Sequence, residues 1–206
     1  MTPLAGLYVI TDEHLIPEPQ FIQQIEFALQ GGARIVQYRD KSQDKTKRLK
    51  QSQALKELCH QYQAPLIIND DIELAIESGA DGVHIGAHDT PLTEARKKLG
   101  ANKIIGVSCY NDFSLAVTAQ QQQADYIAFG SFFSSSTKPD AKKAEVALLS
   151  RARQELQIPV CAIGGITSDN AGQLISAGAD ILAVINDIFS HHDIKTASLK
   201  ISNQFI

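Results

Sequence analysis

Short apolar, β-branched runs alternate with longer amphipathic stretches along the whole chain: LYVI (7–10), RIVQY (34–38), PLIIN (65–69), GVHI (82–85), KIIGVS (103–108), DYIAF (125–129), VCAI (160–163) and ILAVI (181–185). Runs this short, bounded by Gly, Asp and Pro, predict buried strands. Between the second and third, Leu55, Leu58, Cys59 and Tyr62 fall at i, i+3, i+4 and i+7, the stripe of a helix with one buried face. Ile22, Ile25 and Leu29 make a similar stripe between the first and second. One junction recurs, as GGARIVQYR from 31, SGADGVHIG from 78, QQADYIAFG from 122 and SAGADILAVI from 176, each leading from a helix end through Ala and a charged residue into a strand. Echoes separated by roughly two strand-helix units favour a parallel sheet built from repeated units.

Eight strands, each followed by a helical pattern, most simply close into a (β/α)8 (TIM) barrel, an α/β fold, here a single domain over residues 1–206. The competitor is an open doubly wound sheet, but no G-x-G-x-x-G follows the first strand. In a barrel the chemistry sits at the C-terminal ends of the strands, so those positions carry the functional argument.

Composition narrows the classes. A formal net charge of −4 leaves no basic footprint for broad nucleic-acid binding. The N-terminal apolar stretch lacks a basic n-region and meets Asp12 and Glu13 early, unlike a signal peptide, and no run has the roughly 18 apolar residues of a membrane span. Cys59, Cys109 and Cys161 are widely spaced, fitting neither a disulfide framework nor a Cys-x-x-Cys metal site. A cytoplasmic protein acting on small molecules is the expectation.

The second strand ends VQYRDK; alternation puts Gln37, Arg39 and Lys41 on one face and Tyr38 and Asp40 on the other. Two cations and an amide aimed at one volume suit an oligophosphate. The third strand ends at Asn69 and Asp70, and Asp89 follows the fourth, so two carboxylates on neighbouring strand ends are candidate Mg²⁺ ligands. Asp71 suits the start of the next helix. His84 and His88 are taken as structural, because no set of three or four zinc ligands assembles around them. Ser108 ends the fifth strand, and a Ser-rich loop carrying Lys138 follows the sixth. Past strands seven and eight, Gly164, Gly165, Ile185 and Asn186 occupy the places where such barrels often bind a phosphate.

Taken in order, LYVITD, QYRDK, INDD, DGVHIG, GVSCYN, STK, AIGGIT and AVINDIF resemble the thiamine-phosphate synthase family over nearly the whole chain. The resemblance implies a barrel enzyme that joins hydroxymethylpyrimidine diphosphate to thiazole phosphate, or its carboxylated form, by loss of diphosphate and capture of the pyrimidine cation by the thiazole nitrogen. It implies a pyrimidine diphosphate site of Gln37, Tyr38, Arg39, Asp40, Lys41, Asn69, Ser108 and Lys138, with Arg39, Lys41 and Lys138 acting on the leaving group. It places Mg²⁺ on Asp70 and Asp89, and the thiazole phosphate on Ser135, Ser136, Thr137, Gly165, Ile185 and Asn186. The Ser134–Ser135 pair and Asn186 depart from the family pattern, which has Pro-Thr and Ser there. Rival expectations are a thiazole tautomerase-like isomerase, which would not need the diphosphate and Mg²⁺ positions, and a non-catalytic regulator binding thiamine intermediates, which should have lost some of them.

Overall fold

The computed structural model describes residues 4–87, 89–134 and 143–205. Eight strands, β1 (Gly6–Ile10), β2 (Ala33–Tyr38), β3 (Leu66–Asn69), β4 (Gly82–Ile85), β5 (Ile104–Tyr110), β6 (Tyr126–Gly130), β7 (Val160–Ile163) and β8 (Ile181–Val184), close into a barrel in sequence order. All neighbours are parallel, β8 pairing back onto β1. Helices α1 (Phe21–Gln30), α2 (Lys45–Gln61), α3 (Ile72–Glu77), α4 (Leu92–Leu99), α5 (Phe113–Gln121), α6 (Ala147–Glu155) and α7 (Ala171–Ala177) connect them, and α8 (Asn186–Phe189) and α9 (Ile194–Ser202) follow β8. The expected strands are all found, with ends within two residues of those read from sequence.

The strands are buried on both faces, which is why they are apolar runs rather than alternating ones. One core, including Val36, Tyr38, Ile68 and Phe129, lies between barrel and helices; the other, including Tyr8, Ile35, Ile67, Tyr126 and Cys161, fills the barrel interior. The stripe on α2 behaves as expected: Leu55, Leu58 and Cys59 are buried.

The recurring Ala-Asp junction has a structural cause. Asp81 accepts the Leu66 N–H, Asp125 the Ile105 N–H and Asp180 the Val160 N–H, at 2.8, 2.7 and 2.8 Å. The backbone N–H of each aspartate in turn donates to the carbonyl of that same residue. Each aspartate thus satisfies a donor at or next to the start of the preceding strand and fixes register at the face of the barrel opposite the chemistry. Arg34 stands at the corresponding place in the first copy, where a guanidinium has no oxygen with which to accept such a bond.

Candidate active site

A cavity of about 780 Å³ opens at the C-terminal end of the barrel, reaching down to Tyr8, Cys161 and Ala183 and bounded above by Arg39, Asn69, Ser108, Gly164, Gly165 and Asn186.

On the β2 side, Gln37 and Arg39 line the cavity. Lys41 does not line it and is instead paired with Asp70 at 2.6 Å, next to the lining residue Asn69. The segment after β1 runs alongside and holds them. Thr11 N–H donates to the Gln37 carbonyl at 2.9 Å. The Thr11 hydroxyl accepts the Arg39 N–H at 2.8 Å and donates to the Arg39 carbonyl at 3.1 Å. Asp12 approaches the Arg39 guanidinium at 3.7 Å, and Glu13 accepts the Lys41 N–H at 3.4 Å. Sequence reasoning did not assign these three residues, because their role arises only when β1 and β2 lie side by side.

Tyr38 and Asp40 do not join the cavity, contrary to the expected diphosphate site. The two-residue period of the strand turns both outward. Tyr38 packs edge-on to Phe21 at 5.9 Å and donates to Gln51 at 2.9 Å. Asp40 is bound by Lys47 at 2.8 Å and by the Ser42 N–H at 2.7 Å.

At the end of β3 the three residues Asn69, Asp70 and Asp71 take three roles. Asn69 lines the cavity. Asp70 has φ +63°, a left-handed conformation that Asp tolerates better than most residues. Its Oδ2 receives Lys41 Nζ and Asn69 Nδ2, both at 2.6 Å. Asp71 caps α3, accepting the Leu74 N–H at 3.0 Å, and pairs with Arg48 at 2.9 Å.

Asp70 and Asp89 meet as a carboxylate pair. Burial raises the Asp70 carboxyl, but Lys41, Asp89 and Asn69 together hold it below its ordinary value. Asp89 is held above its ordinary value by burial and by the Asp70 charge, against a bond from the Gly86 N–H at 2.7 Å. Lys41 already offsets the Asp70 charge, and a cation bound to both carboxylates would relieve Asp89 as well. Among the described residues no group of three or more His, Cys, Asp or Glu side chains could hold a metal ion. A two-carboxylate donor set fits Mg²⁺, which keeps waters and phosphate oxygens in its shell, better than zinc.

His84, taken as structural from sequence, is instead part of the cavity wall. Its Nε2 lies 2.8 Å from the Ser108 hydroxyl and its Nδ1 3.0 Å from the Tyr126 hydroxyl. Tyr126 and Tyr8 are 2.9 Å apart through their hydroxyls, and Gln37 Nε2 donates to Tyr8 at 2.7 Å. Burial pushes the His84 imidazole down to about 4, against a pull from Asp70, so the ring is neutral at pH 7. A Cβ at Gly106 would overlap the Tyr126 ring, so β5 admits this tyrosine only with glycine there. Neither tyrosine announces itself in the sequence; each is one aromatic in an apolar run.

On the opposite side, Gly164 (φ +105°), Gly165 (φ +62°), Ile185 and Asn186 line the cavity. The glycines are required: a Cβ at Gly164 would overlap the Ser131 hydroxyl, and one at Gly165 the Ser134 carbonyl. The loop after β6 is bonded to the one after β7 here, Phe132 N–H to the Ile163 carbonyl at 3.2 Å and Phe133 N–H to the Gly164 carbonyl at 3.0 Å. Asn170 steadies the β7 loop, donating to the Gly165 carbonyl at 3.0 Å and accepting the Thr167 N–H at 2.8 Å. Ser135, Ser136, Thr137, Lys138 and His88 lie outside the described residues.

Fold and site together define a (β/α)8 barrel with a small-molecule cavity, lined by Gln37, Arg39 and Asn69 on one side and by glycines on the other. A family model described as thiamine monophosphate synthase matches residues 7–188. Among relatives, the thiamine-phosphate synthase of Nitrosococcus oceani is 52% identical over 202 residues, covering 98% of this chain and 93% of the relative. That of Acidithiobacillus ferrooxidans is 48% identical over 205 residues, covering 98% and 94%. The structure of thiamine phosphate pyrophosphorylase from Pyrococcus furiosus superposes with a TM-score of 0.89 at 33% identity, over 98% of this chain and 95% of that one. The chain belongs to the thiamine monophosphate synthase family, and its activity is that of a transferase forming thiamine phosphate. No helix among the described residues is long and apolar enough to cross a membrane.

Proposed function

We propose that the chain joins hydroxymethylpyrimidine diphosphate to thiazole phosphate, or to its carboxylated form with loss of the carboxyl group as CO2, with release of pyrophosphate and dependence on Mg²⁺. The observation that carries this reading is the division of one cavity between a polar side, lined by Gln37, Arg39 and Asn69 with the Lys41–Asp70 pair beside Asn69, and a glycine-lined side at β7 and β8, since the reaction needs a diphosphate and a monophosphate at opposite ends of two rings. Arg39 and Lys41 would grip the diphosphate, Asn69 and Ser108 would orient the pyrimidine, and Gly165, Ile185 and Asn186 would receive the thiazole phosphate.

The pyrimidine methylene C–O bond breaks with its electron pair leaving on the diphosphate, and the thiazole nitrogen lone pair forms the new C–N bond. No proton need be removed, which agrees with a neutral His84 engaged at both nitrogens by hydroxyl groups rather than by a carboxylate. The chain's own task is electrostatic and positional: Arg39 and Lys41 stabilise charge on the departing group, and the cavity walls hold the nucleophile in line. Asp70 and Asp89 would hold Mg²⁺, which when bound supplies further charge neutralisation at the diphosphate. The test is to mix purified protein with both substrates and Mg²⁺ and separate products by chromatography, with an EDTA control. Formation of thiamine phosphate and pyrophosphate in equal amounts, abolished by EDTA and restored by Mg²⁺, supports the reading; product formation that ignores EDTA removes the metal from it.

A further inference from the structure

Five polar side chains from five strands form an unbroken hydrogen-bonded series through the barrel interior: Gln37 on β2, Tyr8 on β1, Tyr126 on β6, His84 on β4 and Ser108 on β5. The successive separations are 2.7, 2.9, 3.0 and 2.8 Å. Tyr8 and Tyr126 are 1% and 0% exposed, Tyr8 at the floor of the cavity and Tyr126 below it, so their hydroxyls depend on one another and on Gln37 and His84 for partners. Two buried tyrosines could be filled by Phe at no loss of packing, and the hydroxyls therefore ask for a purpose.

A tyrosine hydroxyl carries one proton, and a neutral imidazole carries one, so each link dictates the next. Gln37 donates through Nε2 to Tyr8. Tyr8 then donates to Tyr126, Tyr126 to His84 Nδ1, and the Nε2–H of His84 to the Ser108 oxygen. What remains at the ends is the Gln37 Oε1, an acceptor, and the Ser108 proton, a donor. Reversing the series would require the Gln37 amide to turn over and Ser108 to become the acceptor, and any mixed state strands a buried proton without a partner. The two ends cannot change independently.

We propose that Gln37, Tyr8, Tyr126, His84 and Ser108 act as one directed hydrogen-bond chain that presents an acceptor at Gln37 and a donor at Ser108, and so selects an aminopyrimidine over its oxo counterpart. This rests on the pyrimidine site proposed above. An aminopyrimidine offers N–H donors on its exocyclic amine and a ring nitrogen acceptor. The oxo compound puts a carbonyl where the amine was and a proton on the ring nitrogen, inverting both. Sites built to satisfy specific polar groups discriminate strongly, because the wrong partner leaves the protein's own groups unpaired. Tyr8 and Tyr126 are positioning residues in this scheme, acting through Gln37 and Ser108.

The test uses the full chain and the variants Tyr8→Phe, Tyr126→Phe and the double variant, with kcat/KM measured for the aminopyrimidine diphosphate and its oxo analogue at saturating thiazole phosphate. Each single change is expected to lower kcat/KM for the amino substrate by roughly 10- to 100-fold. The preference for amino over oxo should narrow, the KM for thiazole phosphate should stay unchanged, and the double variant should be no worse than the weaker single. Losses that multiply while the preference is retained would mean that the hydroxyls serve the fold separately, and would overturn the proposal. Nitrogen-15 NMR of labelled histidine in the unmodified protein reads the polarity without any turnover or variant. A bare Nδ1 and a protonated Nε2 on His84 are expected; the opposite tautomer refutes the directed chain. Should no product form from either substrate, calorimetric titration with the free amino- and oxopyrimidine alcohols reads the same preference. Failure of the proposed function and failure of the chain are then distinct results.

Discussion

Replacing Thr11 with Val keeps the shape of the side chain and deletes only its hydroxyl. Thr11 is 1% exposed, and that oxygen both accepts the Arg39 N–H and donates to the Arg39 carbonyl. Val leaves two backbone groups next to the cavity without this partner. A stranded buried polar group costs about 1–3 kcal/mol, so the pair together should cost about 2–4 kcal/mol, allowing that cavity water recovers part of the loss. In a domain of this size each kcal/mol lowers Tm by about 2–4 °C, which gives a fall of about 5–15 °C. The functional consequence is specific: Arg39 loses the clamp that sets its backbone, so KM for the pyrimidine diphosphate should rise about tenfold while KM for thiazole phosphate stays unchanged. Thermal denaturation followed by circular dichroism, with steady-state kinetics varying each substrate in turn, reads both effects. Thr11→Ser, which restores the hydroxyl, should recover most of each. An unchanged diphosphate KM in Thr11→Val, or an equal rise in both KM values, would refute the idea that the segment after β1 positions Arg39.

Three further outcomes follow from the same geometry. Asp89→Asn and Asp70→Asn should each weaken the Mg²⁺ dependence of turnover by at least tenfold, read from activity against Mg²⁺ concentration; an unshifted curve in either removes that residue from the metal site. Asp125→Ala deletes the acceptor of the Ile105 N–H and the partner of Arg96 at the far face, and should cost about 2 kcal/mol in urea unfolding with both KM values unchanged. For Asp40, burial opposes ionisation but Lys47 and Ser42 outweigh it, so its folded pKa lies below the unfolded value of 3.8. That contribution is complete above the ordinary carboxylate range and is lost as pH falls through the folded value, so Asp40→Asn should flatten the acid limb of the stability profile; an unaltered limb would show that the Lys47 pair is energetically silent.

The barrel was legible because parallel strands buried on both sides leave a mark that survives without context, four to six apolar residues between polar junctions. The Ala-Asp echo was visible too, though its meaning was not: Asp81, Asp125 and Asp180 act on the neighbouring strand, and only the closed sheet brings the two together. At the site, alternation along β2 correctly separated Gln37 and Arg39 from Tyr38 and Asp40, while the resemblance to relatives drew the latter pair in; the physical period was the better guide. Asp70 escapes alternation altogether, because its left-handed backbone turns its carboxylate toward Lys41 and Asn69. Tyr8, Tyr126 and His84 were illegible for a different reason. An aromatic in a buried run signals packing, and only three strands meeting in the barrel interior turn three such residues into a polar series.

The most direct measurement is a crystal structure of the protein with thiamine phosphate, pyrophosphate and Mg²⁺ bound. Pyrophosphate is expected against Arg39 and Lys41, the metal shared by Asp70 and Asp89, the aminopyrimidine between Gln37 and Ser108, and the thiazole phosphate at Gly165 and Asn186. Pyrophosphate on the β7 and β8 side, or a metal held by neither aspartate, would contradict this assignment.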